Sequence, residues 1–182
     1  YKDISVMGPS GVRFSMPKIE KANILIDVDV MGLNACIALV DVLKAKGHDI
    51  FIVASNDVIE LLRVLFEDIN IQSYQTPVPS LGFTHVWVLA KPERVACINA
   101  LKQSTGVFTN DTTYTAATYG PMQCMLKGVC AQCLQWQIDP LTGRRTKAVY
   151  ACSWQHQPMT MVDWDHAKAR QSWHPIINQV NK

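Results

Sequence analysis

Asn23-Ile24-Leu25-Ile26-Asp27-Val28-Asp29-Val30 decides the fold. The run is aliphatic and rich in β-branched residues, as a strand buried on both faces must be. Just downstream, Asn34 is a candidate helix cap, and Ile37, Val40 and Leu43 share one helical face with Leu39 beside them. Lys44, Lys46 and Gly47 supply the basic last turn and the glycine stop of that helix. Ile50-Phe51-Ile52-Val53-Ala54 follows as a second strand, which completes a βαβ unit.

The alternation continues. Asp57 and Glu60 open a second helix with the apolar stripe Val58, Leu61, Leu62, Leu65 and Phe66. Ile69, Ile71 and Ser73 mark a short strand, and a loop with Pro77 and Pro79 leads to the strand His85–Ala90. Pro92 starts a helix with Val95, Ile98 and Leu101 on one face. Strand and helix in turn predict an α/β fold with a mostly parallel sheet covered on both sides. From about residue 110 the character changes. Asn110–Thr115 reads as a polar loop or linker, followed by four cysteines, four of the tryptophans and little helical period. The expected organisation is a linker-like segment 1–19, an α/β domain 20–110 and a small cysteine-rich unit 111–182.

Composition bounds the function. With 182 residues, 48% hydrophobic and 18% charged, the chain is that of a folded protein. A net charge of +2 with scattered basic residues gives no stripe for nucleic acid; Arg144-Arg145-Thr146-Lys147 reads as a solvated hairpin beside Leu141-Thr142-Gly143. No apolar run is long enough to predict a membrane span. The start Tyr1-Lys2-Asp3 lacks a secretion signal and an initiator Met, which predicts a cytoplasmic protein known as a fragment or processed product.

Six cysteines are unevenly placed. Cys36 and Cys97 lie in helix-period segments, whereas Cys124-x5-Cys130-x2-Cys133-x18-Cys152 forms a cluster. Without a secretory context, clustered cysteines suit metal ligation better than disulfides. A [2Fe–2S] cluster needs four thiolates, and plant-type ferredoxins supply them with C-x4-C-x2-C and a distant fourth cysteine. Gly128 lets the loop turn sharply, and Met122, Met125 and Leu126 would shield the cluster from water. A structural zinc site is the alternative, although zinc knuckles usually pair two short Cys spacings. A Rieske centre needs two histidines, and neither His156 nor His166 has that spacing. A Cys130–Cys133 disulfide would leave the pattern unexplained. His48, His85, His156, His166 and His174 read as turn, strand-end or surface residues, and no nucleophile–base pair stands out.

Pro121-Met122-Gln123-Cys124-Met125-Leu126-Lys127-Gly128-Val129-Cys130-Ala131-Gln132-Cys133, with a looser continuation through Asp139–Gly143 to Cys152, resembles the ferredoxin–NADP reductase superfamily. The type is the electron-transfer subunit of dihydroorotate dehydrogenase and domains fused to glutamate-synthase-like reductases. Val6-Met7-Gly8-Pro9-Ser10-Gly11 resembles the segment leaving that family's flavin barrel. The resemblance implies a barrel that binds FAD, an α/β domain that binds NAD(P)H, and a cluster that passes electrons to a partner. Here only the last barrel strand could be present, so FAD is expected from a partner or a missing domain.

The nucleotide turn departs from that family. The stretch Asp27-Val28-Asp29-Val30-Met31-Gly32-Leu33-Asn34 keeps one glycine, leaving Gly32 and Asn34 as a degenerate cofactor-binding turn. Val28 and Val30 add bulk, and Asp29 puts negative charge near the expected pyrophosphate. Ala90-Lys91-Pro92-Glu93-Arg94 replaces the Gly-Pro-type segment near the nicotinamide and gains Glu93. Both changes argue against ordinary NAD(P)H binding. The expected function is an electron-transfer module relaying electrons through a [2Fe–2S] cluster to or from a redox partner or flavin-containing subunit, within a hetero-oligomer. The alternatives are an NAD(P)H-dependent reductase subunit with FAD on another chain, and a zinc-stapled structural subunit.

Overall fold

The computed structural model describes residues 16–79, 82–104, 111–118, 131 and 133–172. The first strand is β1 (Asn23–Val28), followed by α1 (Leu33–Ala45) and β2 (Asp49–Ala54). Next come α2 (Asn56–Leu65), β3 (Asn70–Ser73), β4 (His85–Ala90) and α3 (Pro92–Ser104). The chain continues with β5 (Thr113–Thr118), β6 (Leu134–Ile138), β7 (Arg145–Tyr150), β8 (His156–Pro158) and α4 (Trp164–Ser172).

Six of these strands form one sheet in the order β3-β2-β1-β4-β5-β8. The first five are parallel and β8 runs antiparallel to β5. Successive residues of β1 serve opposite faces, as a pleated strand requires. Ile24, Ile26 and Val28 meet Leu39, Val40 and Leu43 of α1 and Val58 and Leu62 of α2. Leu25 meets the other core, with Val86, Val88, Val95, Ile98 and Trp164. Full burial of one such aliphatic side chain stabilises by about 1.5–3 kcal/mol. The α/β architecture expected from the alternating pattern is therefore present.

Local details differ from the sequence expectations. The cap of α1 is Gly32, and Asn34 lies exposed inside the first turn. Asp29 holds the amides ahead of that helix, so the helix begins before Asn34 can cap it. On α2 the buried set is Val58, Ile59 and Leu62, whereas Leu61 and Leu65 are half-exposed. Thr113–Thr115, expected to be linker, opens β5. Its alternation of β-branched and aromatic residues and its two small alanines let it lie flat beside β4, with Tyr114, Ala116 and Ala117 buried.

The β6–β7 hairpin leaves the sheet after β5 and the chain returns to it at β8. Its turn forms where Leu141-Thr142-Gly143 suggested one. Gly143 has a φ of 67°, the Asp139 amide donates to the Arg144 carbonyl at 2.9 Å, and the Gly143 amide donates to the Asp139 carbonyl at 2.8 Å. The six-stranded sheet thus draws on residues on both sides of position 110. Among the described residues no helix is long and apolar enough to cross a membrane.

Candidate functional site

The base of the β6–β7 hairpin brings two of the predicted ligands together. Leu134 pairs with Tyr150, so Cys133 lies just before one strand and Cys152 just beyond the end of the other. The Ala151 amide donates to the Cys133 carbonyl at 3.0 Å, and the Cys152 amide donates to Cys133 Sγ at 3.5 Å. A backbone N–H directed at sulfur stabilises a thiolate, which is the species a metal takes. The long gap before Cys152 is therefore a hairpin that folds back on itself. Cys124 and Cys130 lie outside the described residues. Among the described residues no group of three or more acidic, histidine or cysteine side chains is placed to hold a metal.

Two contacts hold the turn ahead of Cys133. Ala131 has a φ of 54°, a left-handed conformation that is uncommon without glycine. Arg170 of α4 donates from Nη2 to the Ala131 carbonyl at 2.5 Å, and the Leu134 amide donates to the same oxygen at 3.2 Å. Behind the hairpin runs a buried polar relay. Gln157 Nε2 donates to Gln135 Oε1, and Gln135 Nε2 donates to Thr118 Oγ1 at 2.5 Å. This relay ties β6 to the last residue of β5 and to β8. Cys36 is a buried thiol that desolvation pushes up to about 12, too high for a reactive thiolate near neutral pH, and Cys97 is exposed on α3.

The second site candidate is the crevice where the strand order reverses, between the carboxyl ends of β1 and β4. Open α/β sheets take their ligands at this point. Here Asp29 is buried, with 8% of its surface exposed. Its Oδ1 accepts from the amides of Met31 at 2.8 Å and Gly32 at 3.3 Å, and its Oδ2 from the Lys91 amide at 2.8 Å. One carboxylate thus joins the turn before α1 to the turn before α3. Gly32 is needed for packing: a Cβ there would lie 1.9 Å from the Leu89 carbonyl oxygen.

Beside it, Asp27 is 1% exposed and faces the side of α3. Arg94 Nε donates to its two oxygens at 3.0 and 3.1 Å, and Nη2 donates to Oδ2 at 2.5 Å. Burial pushes the Asp27 carboxyl up, and the Arg94 guanidinium counters that push. The guanidinium also stacks on Tyr74, 3.7 Å from the ring centre. Sequence reasoning noted the charge at Asp29 but missed its amide partners and the Asp27–Arg94 pair. Only the presence of two acids in a buried strand hinted at them.

No model of a known protein family matches the chain. The uncharacterized protein RP006 of Rickettsia prowazekii (strain Madrid E) is 26% identical over 167 residues, which is 92% of this chain and 19% of that protein. Among solved structures, a chain of an NADH-dependent reduced ferredoxin–NADP oxidoreductase, studied for flavin-based electron bifurcation, superposes with a TM-score of 0.68 at 12% identity. The match covers 97% of this chain and 66% of that one. The chain therefore shares the fold of that oxidoreductase chain, and it spans 19% of the Rickettsia protein and 66% of the solved chain.

Proposed function

We propose that the chain is an electron-transfer module of a flavin- and iron–sulfur-dependent oxidoreductase, of the dihydroorotate dehydrogenase electron-transfer-subunit type. Cys124, Cys130, Cys133 and Cys152 would hold its [2Fe–2S] cluster. The observation that carries this is the meeting of Cys133 and Cys152 at the hairpin base, with an amide aimed at sulfur. Two of the four donors support this reading, since Cys133 and Cys152 share one corner, with the Ala131 carbonyl ahead of them held by Arg170. The fold likeness to a ferredoxin–NADP oxidoreductase chain supports the same class.

When bound, such a cluster carries one electron at a time between a flavin and a second redox centre. The chain's own part is to set the sulfur positions and to present a hydrogen-bond donor to Cys133. On this reading residues 1–19 would be a linker-like flavin-barrel segment, the α/β unit would take in β1 to β5 and β8, and the cluster-bearing part would be the excursion between β5 and β8. The flavin would belong to a separate subunit, which makes the module part of a hetero-oligomer, or to another domain of a longer polypeptide.

Metal analysis with visible and electron paramagnetic resonance spectra tests this. The expected result is two irons and two acid-labile sulfides per chain, as the [2Fe–2S] formula requires, with loss of the spectrum in Cys130→Ser and Cys152→Ser. A single zinc without visible absorbance would replace the relay with a structural staple.

A further inference from the structure

In an open parallel sheet, the crevice at the reversal of strand order takes the phosphates of a dinucleotide at a helix N-terminus. This chain has that crevice, at the ends of β1 and β4. We infer that Asp29 is the specificity-determining residue of the crevice: a built-in anion seated on the amides that would otherwise receive a phosphate. Seated there, it excludes NAD(P)H from this crevice. This deepens the relay reading above, because electrons then enter the module from a protein-bound flavin and not from a nicotinamide held here.

Three features converge on exclusion. The carboxylate uses both oxygens, one on Met31 and Gly32 and the other on Lys91, so both turns flanking the crevice are satisfied internally. A phosphate approaching these amides would meet a fixed negative charge within contact distance, and like charges repel strongly where water is scarce. Of the two cations at the turn before α3 and its first residues, Arg94 is committed to Asp27 through two nitrogens and stacked on Tyr74, while Lys91 is exposed. Val30 and Met31 add exposed apolar surface at the mouth, where a phosphate would require polar groups.

The test follows the backbone amide signals of Met31, Gly32 and Lys91 while isotope-labelled full chain is titrated with NADH, NADPH and inorganic pyrophosphate. In the native chain all three signals are expected to stay in place up to millimolar ligand. A saturable movement at these amides would overturn the inference. Asp29→Gly empties the seat and is expected to bind pyrophosphate at least about tenfold more tightly than the native chain, a gain of about 1.4 kcal/mol, with affinity falling as salt rises. Asp29→Asn keeps the shape without the charge and serves if the glycine variant fails to fold by circular dichroism. A folded variant whose amides still ignore pyrophosphate would assign the closure to something other than Asp29 and overturn the claim. If neither variant folds, the native titration decides alone. Iron and sulfide content separate the two proposals: nucleotide binding by an iron-loaded chain sinks only this one, and an iron-free chain sinks only the relay.

Discussion

The two sides of the sheet are held by different chemistry. From β3 to β4, aliphatic side chains fill both faces, and the polar groups buried among them include a matched ion pair and a carboxylate that accepts from three amides. Beyond β5, the hairpin is fastened by glutamine and threonine side chains, a cation on a carbonyl and two cysteines. The first side rests mainly on apolar burial with an ion pair set inside it, whereas the second carries more of its fastening in polar contacts.

The largest expected effect breaks the first side. Arg94→Met removes the partner of a nearly fully buried carboxylate and should cost about 3–5 kcal/mol, the usual penalty for leaving one charge of a buried pair. The double variant Asp27→Leu with Arg94→Met should recover most of it. Urea denaturation followed by far-ultraviolet circular dichroism measures both, and a double variant no better than the single would show that the pair is not the cause. Gly32→Ala comes next, at about 3 kcal/mol, because its methyl group meets backbone that cannot swing away. A loss below about 1 kcal/mol would mean that the turn before α1 shifts freely.

The other side is sharpened by Gln157→Leu, which should cost about 1 kcal/mol, one net hydrogen bond. The loss is small because Gln157 Oε1 is already buried without an acceptor's partner, and the substitution removes that defect too. The smallest effect is with pH. Burial, aided by His48, lowers the His85 titration below the ordinary histidine value of about 6.5, and burial with Arg145 lowers that of His166. The unfolded chain therefore takes up protons that the folded chain resists, and stability should decline as pH falls through about 6.5. Urea midpoints between neutral and mildly acid pH would show this slope, and His85→Gln should flatten it.

The same contrast explains what could be read from residue order. Val, Ile and Leu at periods of two and near four announced β1 through α3, because burial on both faces of a parallel sheet leaves that imprint. β5 was hidden because Thr113, Thr115 and Thr118 look polar, and only their place beside β4 makes them interior strand. The four-cysteine spacing pointed to a metal, yet nothing in it said that Cys152 returns to Cys133, since that depends on hairpin register. Asp29 drew notice for its charge, but its seat is built by Lys91, which lies 62 residues away in sequence.

The pairing of β5 with β8 has a consequence for how such proteins change over time. Ala117 sits opposite His156, so the excursion between them leaves and rejoins the sheet at adjacent antiparallel strands. Such strands lie about 5 Å apart and can be joined by a tight turn. Everything between them is thus a cassette with closely spaced ends. Lengthening such a loop costs about 0.6 kcal/mol for each doubling. A lineage could change the length of the hairpin's outer part at small cost, while exchanging the whole excursion would also require new partners for Thr118 and Gln157.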